Sequence, residues 1–124
     1  MNKRSGLLHR LLLAAAVLFT IVCVREAFAH AILFEAIPER NSVISGPSLT
    51  VRLRFNVRID ASRSRLALMY PEGGLHILQV RSNEPADIVT AQVANLSTGH
   101  YDLKWQVLAS DGHITQGDIP FSVK

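Results

Sequence analysis

Apolar and polar residues alternate along several stretches of this chain after residue 29, most clearly at 49–56 and 101–108. Every second residue is apolar in both stretches: Leu49, Val51, Leu53 and Phe55 in the first, and Tyr101, Leu103, Trp105 and Val107 in the second. A period of two is that of a β-strand with one face buried and the other in solvent. These two stretches therefore predict the central strands of an antiparallel sheet.

Shorter stretches predict five further strands, at residues 31–37, 65–70, 76–81, 88–96 and 118–123. Pro38 should end the first of them, and Asn41 can adopt the left-handed conformation of a turn. Residues 57–64 are interpreted as a polar connection, 71–74 as a hairpin turn, and Gly117 as the turn into the last strand. About seven short strands, with turn signals every 8–12 residues, predict one all-β domain: an immunoglobulin-like sandwich or a Greek-key barrel.

Residues 1–29 have the composition of a secretory signal peptide rather than of the domain. Lys3, Arg4 and Arg10 form a positive start, residues 11–24 are largely apolar, and Ala27-Phe28-Ala29 fits a signal peptidase site. We expect a helical signal peptide at 1–29, cleavage after Ala29, a mature domain at 30–124 and a periplasmic location. An uncleaved N-terminal anchor is the alternative, and a lipoprotein is a weaker one because Val22 precedes Cys23 where a small residue would be expected.

Removal of this leader changes the charge balance and the cysteine count. Residues 30–124 contain nine Lys or Arg and nine Asp or Glu, so the mature net charge is near zero before histidine is counted. No basic cluster remains that would follow a phosphate backbone, and we expect no nucleic-acid partner. The only cysteine, Cys23, lies in the leader. A mature chain without cysteine has no disulfide, no blue-copper site and no cysteine-based zinc site.

Two features of the mature chain have the chemistry of metal ligands. Asp111-Gly112-His113 places a carboxylate and an imidazole two residues apart, although Asp-Gly is also a common turn pair. His30 would become the first residue after cleavage and would then offer its α-amine as well as its ring. Together His30, Asp111 and His113 would supply nitrogen and oxygen ligands of the kind that Cu(II) favours. The two features support each other only if the fold brings them together.

Protons compete with a metal at such a site. The α-amine, with an ordinary pKa of about 7.7–8.0, and an imidazole, with one of about 6.5, must both lose a proton to bind. The interpretation therefore predicts that copper affinity falls below neutral pH.

The other histidines and the catalytic motifs give weaker signals. His76 and His100 lie beside glycine turns without a metal-binding spacing, and are interpreted as surface residues. No serine has the context of a nucleophile elbow, and no glycine-rich phosphate loop is present. We therefore expect a binding protein and not an enzyme.

The chain resembles the CopC-type periplasmic copper-resistance proteins over essentially all of residues 30–124. The resemblance is carried by the stretch from Gly99 to Trp105, by Asp111-Gly112-His113 with Gly117, and by the histidine that directly follows the leader. Weaker support comes from the Pro38 turn and the strand that ends at Phe55.

This resemblance implies a seven-stranded Greek-key β-barrel, cupredoxin-like or immunoglobulin-like. It implies one Cu(II) per chain, bound by His30, Asp111 and His113, and a periplasmic role in copper resistance, homeostasis or delivery. An inner-membrane CopD-type copper transporter is the implied partner, and a monomer is the default state.

The chain departs from the family pattern at several positions. The family often has Ser-Glu after the strand-ending Phe, where this chain has Asn56-Val57, and Ile114 replaces a frequent proline. Some members carry a methionine-rich loop for Cu(I), whereas Met69 is the single methionine after residue 29. We therefore predict a Cu(II) site and no Cu(I) site.

Two other functions start from the same residues. A metal-free immunoglobulin-like module would be favoured if His30 and His113 lay at opposite ends of the sandwich. A copper mono-oxygenase would also use an N-terminal histidine with a second imidazole. A domain of 95 residues offers little flat surface for a polymer, and an Asp ligand would occupy a position that oxygen chemistry needs open.

Overall fold

The computed structural model describes residues 3–23, 30–81 and 85–124. One helix, α1 (Lys3–Cys23), precedes eight strands. The strands are β1 (Leu33–Ile37), β2 (Val43–Ile44), β3 (Leu49–Phe55), β4 (Ile59–Met69), β5 (Leu75–Leu78), β6 (Ile88–Val93), β7 (Gly99–Ala109) and β8 (Ile114–Val123). The predicted all-β fold is confirmed, and residues 30–124 hold all of the strands that are described.

The strands form two sheets, so the fold is a sandwich and not a closed barrel. The smaller sheet has the order β1-β3-β6, and the larger has the order β2-β8-β7-β4-β5. All neighbouring strands are antiparallel except β2 and β8, which are parallel. Each sheet therefore combines strands that lie far apart in sequence, as a Greek-key arrangement requires.

The core lies between the sheets and is built from the apolar residues of the alternating stretches. The inward residues of β3, from Leu49 to Phe55, and those of β7, from Tyr101 to Ala109, are all buried. Phe55 and Trp105 meet edge to face across the two sheets, with ring centroids 5.3 Å apart. The Tyr101 hydroxyl donates a hydrogen bond to the Ser97 carbonyl at 2.8 Å. A tyrosine bonded to backbone a few residues upstream is a feature of immunoglobulin-like sandwiches.

Two sequence predictions of local structure were wrong, and one short strand was not predicted. The polar connection at 57–64 is largely strand, since β4 begins at Ile59, and its register with β7 shifts between Asp60 and Arg65. This bulge interrupts the alternation of buried and exposed residues, so the sequence of this part of β4 lacks the period of a strand. Gly117 is not a turn but lies within β8, opposite Trp105. The short strand β2 was not predicted, and two residues are too few to show a period.

The turn at Asn41 is as predicted, with a backbone φ of 61°. The proposed cleavage site at 27–29 lies outside the described residues. Within residues 3–23, 30–81 and 85–124, no candidate membrane-spanning helix is found.

Candidate metal centre

The tip between β7 and β8 is a tight hairpin that presents Asp111 and His113 to solvent. The Ala109 N–H donates to the His113 carbonyl at 2.9 Å, and the Gly112 N–H donates to the Ala109 carbonyl at 2.9 Å. Gly112 has a φ of 93°, a conformation that favours glycine because it lacks a Cβ. The side chains of Asp111 and His113 are 41% and 52% exposed. A metal ion could therefore reach both from solution.

Within the tip, the Asp111 carboxylate is already bonded to His113. Its Oδ1 accepts a hydrogen bond from the His113 backbone N–H at 3.0 Å, and the same oxygen lies 3.3 Å from His113 Nδ1. The backbone N–H of His113 is the largest cause that holds the pKa of the Asp111 carboxyl below its ordinary value of 3.8. The carboxylate is thus ionised at neutral pH and available as an oxygen ligand.

The fold brings His30 to this tip. The rings of His30 and His113 have centroids 5.5 Å apart and meet at 73°. A metal-free module would have been favoured if His30 and His113 lay at different ends of the sandwich. They lie at the same end. His30 and His113 are 83 residues apart in the sequence, and the folding of the sandwich brings them together.

The distance between the two ring centroids lies within the range that two imidazoles on one metal ion would span. With a metal–nitrogen distance of about 2.0–2.1 Å, as for zinc, each ring centroid lies about 3.2 Å from the metal. Two such centroids are about 4.5 Å apart at a right angle and about 6.4 Å apart when opposite. The observed 5.5 Å lies between these limits.

The chain as described does not present a finished ligand cluster. Among residues 3–23, 30–81 and 85–124, no three His, Cys, Asp or Glu side chains are arranged to hold a metal ion together. His113 Nδ1 faces Asp111. The main-chain nitrogen of His30 is an amide while Ala29 precedes it. The assignment of His30, Asp111 and His113 as ligands stays a prediction.

The remaining candidates lie away from the tip. His100 is near the start of β7, nine residues before Ala109, which places it roughly 30 Å from the tip along an extended strand. Its Nδ1 lies 2.8 Å from the Ser122 hydroxyl. His76 packs against Tyr70, with ring centroids 4.2 Å apart. Met69 pairs with Asp102 on β7, also far from Ala109.

Sequence reasoning missed Asn56, which directly follows β3 and bonds to the segment that carries His30. In the sequence this position stands out only as an asparagine where the family often has the serine that follows the strand-ending Phe. In the structure its backbone and side chain both bond to Ile32, two residues after His30. An asparagine directly after a strand end was the available signal, because its side chain readily bonds to backbone groups.

Comparison with known proteins extends this description. Residues 33–124 match the family model described as the CopC domain. This chain belongs to the CopC family. A relative called Copper resistance protein C, from Xanthomonas campestris pv. juglandis, is 32% identical over 107 residues, which are 80% of this chain and 84% of the relative. Protein YobA of Escherichia coli (strain K12) is 27% identical over 114 residues, or 90% and 92% of the two chains.

The solved structures agree with the family assignment. The crystal structure of CopC from Methylosinus trichosporium OB3b superimposes with a TM-score of 0.69 and 26% identity, and covers 77% of this chain and 94% of its own. The CopC family membership and the two-sheet sandwich are thus supported by sequence and structure together.

Proposed function

We propose that this CopC-family protein is a periplasmic Cu(II)-binding protein in copper resistance, homeostasis or delivery. The observation that carries the proposal is the approach of His30 to His113, with rings 5.5 Å apart, beside the ionised Asp111. Family membership and the copper-resistance name of one relative support copper as the bound ion. No catalytic role is proposed, because copper here is cargo.

The leader has a direct part in this proposal. Cleavage after Ala29 converts the amide nitrogen of His30 into an amine, which together with the ring nitrogen can close a chelate on one copper ion. The imidazole of His113 and the carboxylate of Asp111 would complete an N₃O set of the kind that Cu(II) prefers. The site would therefore form only in the processed protein, after export, with one copper per chain.

The proposed partner is an inner-membrane CopD-type copper transporter. The identity of this partner comes from the family resemblance. The exposure of Asp111 and His113 at one end of the sandwich supports transfer, since a copper ion held there is accessible to another protein's ligands.

The test is a Cu(II) titration followed by EPR. The full chain is expressed with export, and mass spectrometry confirms an N-terminus at His30. A second form has one glycine inserted between Ala29 and His30. We expect one equivalent of tightly bound, tetragonal Cu(II) in the first form and much weaker binding in the second, because the inserted residue removes the chelate.

Two histidine variants serve as a matched pair. His113→Asn should weaken copper binding strongly, whereas His100→Asn should leave it unchanged, since both side chains are exposed but only one is at the tip. Equal binding by the native and glycine-extended forms would remove the amine from the site. Absence of binding in the native form would overturn the proposed function.

A further inference from the structure

The three-residue connector between β3 and β4, residues 56–58, contacts both chain segments that carry the proposed ligands. On one side, the Asn56 N–H donates to the Ile32 carbonyl at 3.0 Å. On the other side, the Arg58 carbonyl accepts a hydrogen bond from the Ser110 N–H at 3.0 Å. Ile32 is two residues from His30, and Ser110 is next to Asp111. The 56–58 connector thus spans from the mature N-terminus to the tip.

The contact to the N-terminal side is made twice, and the second time by a side chain. The Ile32 N–H donates to Asn56 Oδ1 at 2.7 Å. Regular pairing of β1 with β3 ends at Leu33 and Phe55, and beyond this point the chain bends away at Asn56. The side-chain amide therefore supplies the acceptor that a continuing strand would otherwise have offered through its backbone.

The two hydrogen bonds between Asn56 and Ile32 form an anchor, and the buried position of Ala31 extends its effect to His30. Ala31 is 3% exposed and belongs to the core cluster, while Ile32 is bound to Asn56 on the other side. His30 directly precedes the buried Ala31, and it is two residues from Ile32, which makes two hydrogen bonds to Asn56. The main chain next to His30 is therefore held in place at Ala31 and Ile32.

We propose that Asn56 is a positioning residue: through Ile32, its side-chain amide holds His30 beside His113. The consequence for metal binding rests on the proposed function, but the positioning itself does not. If the anchor opens, only a fraction of molecules keeps His30 in place, and the apparent dissociation constant rises by the inverse of that fraction. One hydrogen bond of ordinary strength corresponds to about a two- to ten-fold loss of Cu(II) affinity.

Three variants of the full chain test this proposal. Asn56→Ala removes the side-chain acceptor, and Asn56→Asp retains an acceptor oxygen at the same position. Thr50→Val is the matched control, because it removes a side-chain hydrogen bond, Thr50 to Gln92 at 3.0 Å, at the opposite end of the same strand β3. The Ile32 N–H is at an exposed residue and can bond to water, so Asn56→Ala should still fold.

The first measurement uses metal-free protein. We expect a nuclear Overhauser contact between the ring protons of His30 and His113 in the native chain, in Thr50→Val and in Asn56→Asp. In Asn56→Ala the contact should be about two- to ten-fold weaker. A merely structural role for Asn56 would lower the melting temperature and leave the intensity of this contact unchanged. A contact of native intensity in Asn56→Ala would overturn the proposal.

The second measurement is a Cu(II) titration of the same proteins. We expect about two- to ten-fold weaker binding and an altered EPR spectrum in Asn56→Ala, with no change in Thr50→Val. An equal loss in both variants would refute the positioning role. If the native protein keeps the ring contact but binds no Cu(II), the proposed copper function fails and the positioning by Asn56 stands.

Discussion

Gly117 and Trp105 lie directly opposite each other on β8 and β7, and this pair leads to a precise prediction for Gly117→Ala. A Cβ at position 117 would lie 2.7 Å from Trp105 Cζ2 and 2.9 Å from Cε2. The indole cannot easily move away, because Trp105 is only 9% exposed and packs edge to face on Phe55. The backbone of Gly117 is not in the left-handed region, so the steric contact is the main cost of the substitution.

Overpacking of this kind costs typically about 1–3 kcal/mol. For a domain of this size, each kcal/mol lowers the melting temperature by about 4–8 °C. We therefore expect Gly117→Ala to melt roughly 5–20 °C below the native protein in a calorimetric scan, or to unfold at a correspondingly lower urea concentration.

A double-mutant cycle with Trp105→Phe isolates the contact. Phenylalanine lacks the indole atoms that the new methyl group would meet, so Gly117→Ala should cost clearly less in that background. Gly46→Ala is the contrasting control, because any cost there comes from the backbone and not from a steric contact. Its new Cβ would meet open space, but its φ of 94° disfavours alanine. Equal costs in the native and Trp105→Phe backgrounds, or native stability of Gly117→Ala, would refute the steric explanation.

Two further predictions concern the tip and the strand beneath it. The Thr115 hydroxyl is buried and has no hydrogen-bond partner among the described residues. Thr115→Val should therefore raise the free energy of unfolding by about 1 kcal/mol. Urea unfolding measures this, with the exposed Thr50→Val as control, and a destabilised Thr115→Val would contradict the prediction. The second prediction concerns Asp111, whose pKa is lowered chiefly by the His113 backbone N–H. A lowered pKa means that the interaction is fully present above the ordinary value of 3.8 and is lost as pH falls through the lower folded value. Carboxyl NMR should show Asp111 titrating with a midpoint below 3.8, and a midpoint above 3.8 would contradict the assignment.

The fold class could be predicted from sequence because burial imposes its period directly on the chain. The alternation in β3 and β7 reflects one buried face, and it needs no partner strand to be recognised. Where a bulge interrupts pairing, between Asp60 and Arg65, the period is lost, and the first half of β4 has the sequence pattern of a connection. Gly117 was misinterpreted for a related reason. Glycine is a common turn residue, and only the position of Trp105 across the sheet explains why a glycine occupies the middle of a strand.

By itself, the sequence determined the all-β class, the leader-like composition of residues 1–29 and the chemical types of the candidate ligands, because these depend on local residue order. Only the tertiary structure decided that His30 lies next to His113, since Greek-key pairing closes 83 residues of sequence to a ring separation of 5.5 Å. It also decided that the Asn56 side chain bonds to Ile32, at the point where the pairing of β1 with β3 ends. Ligand identity is thus local information, whereas ligand proximity is a property of the folded sandwich.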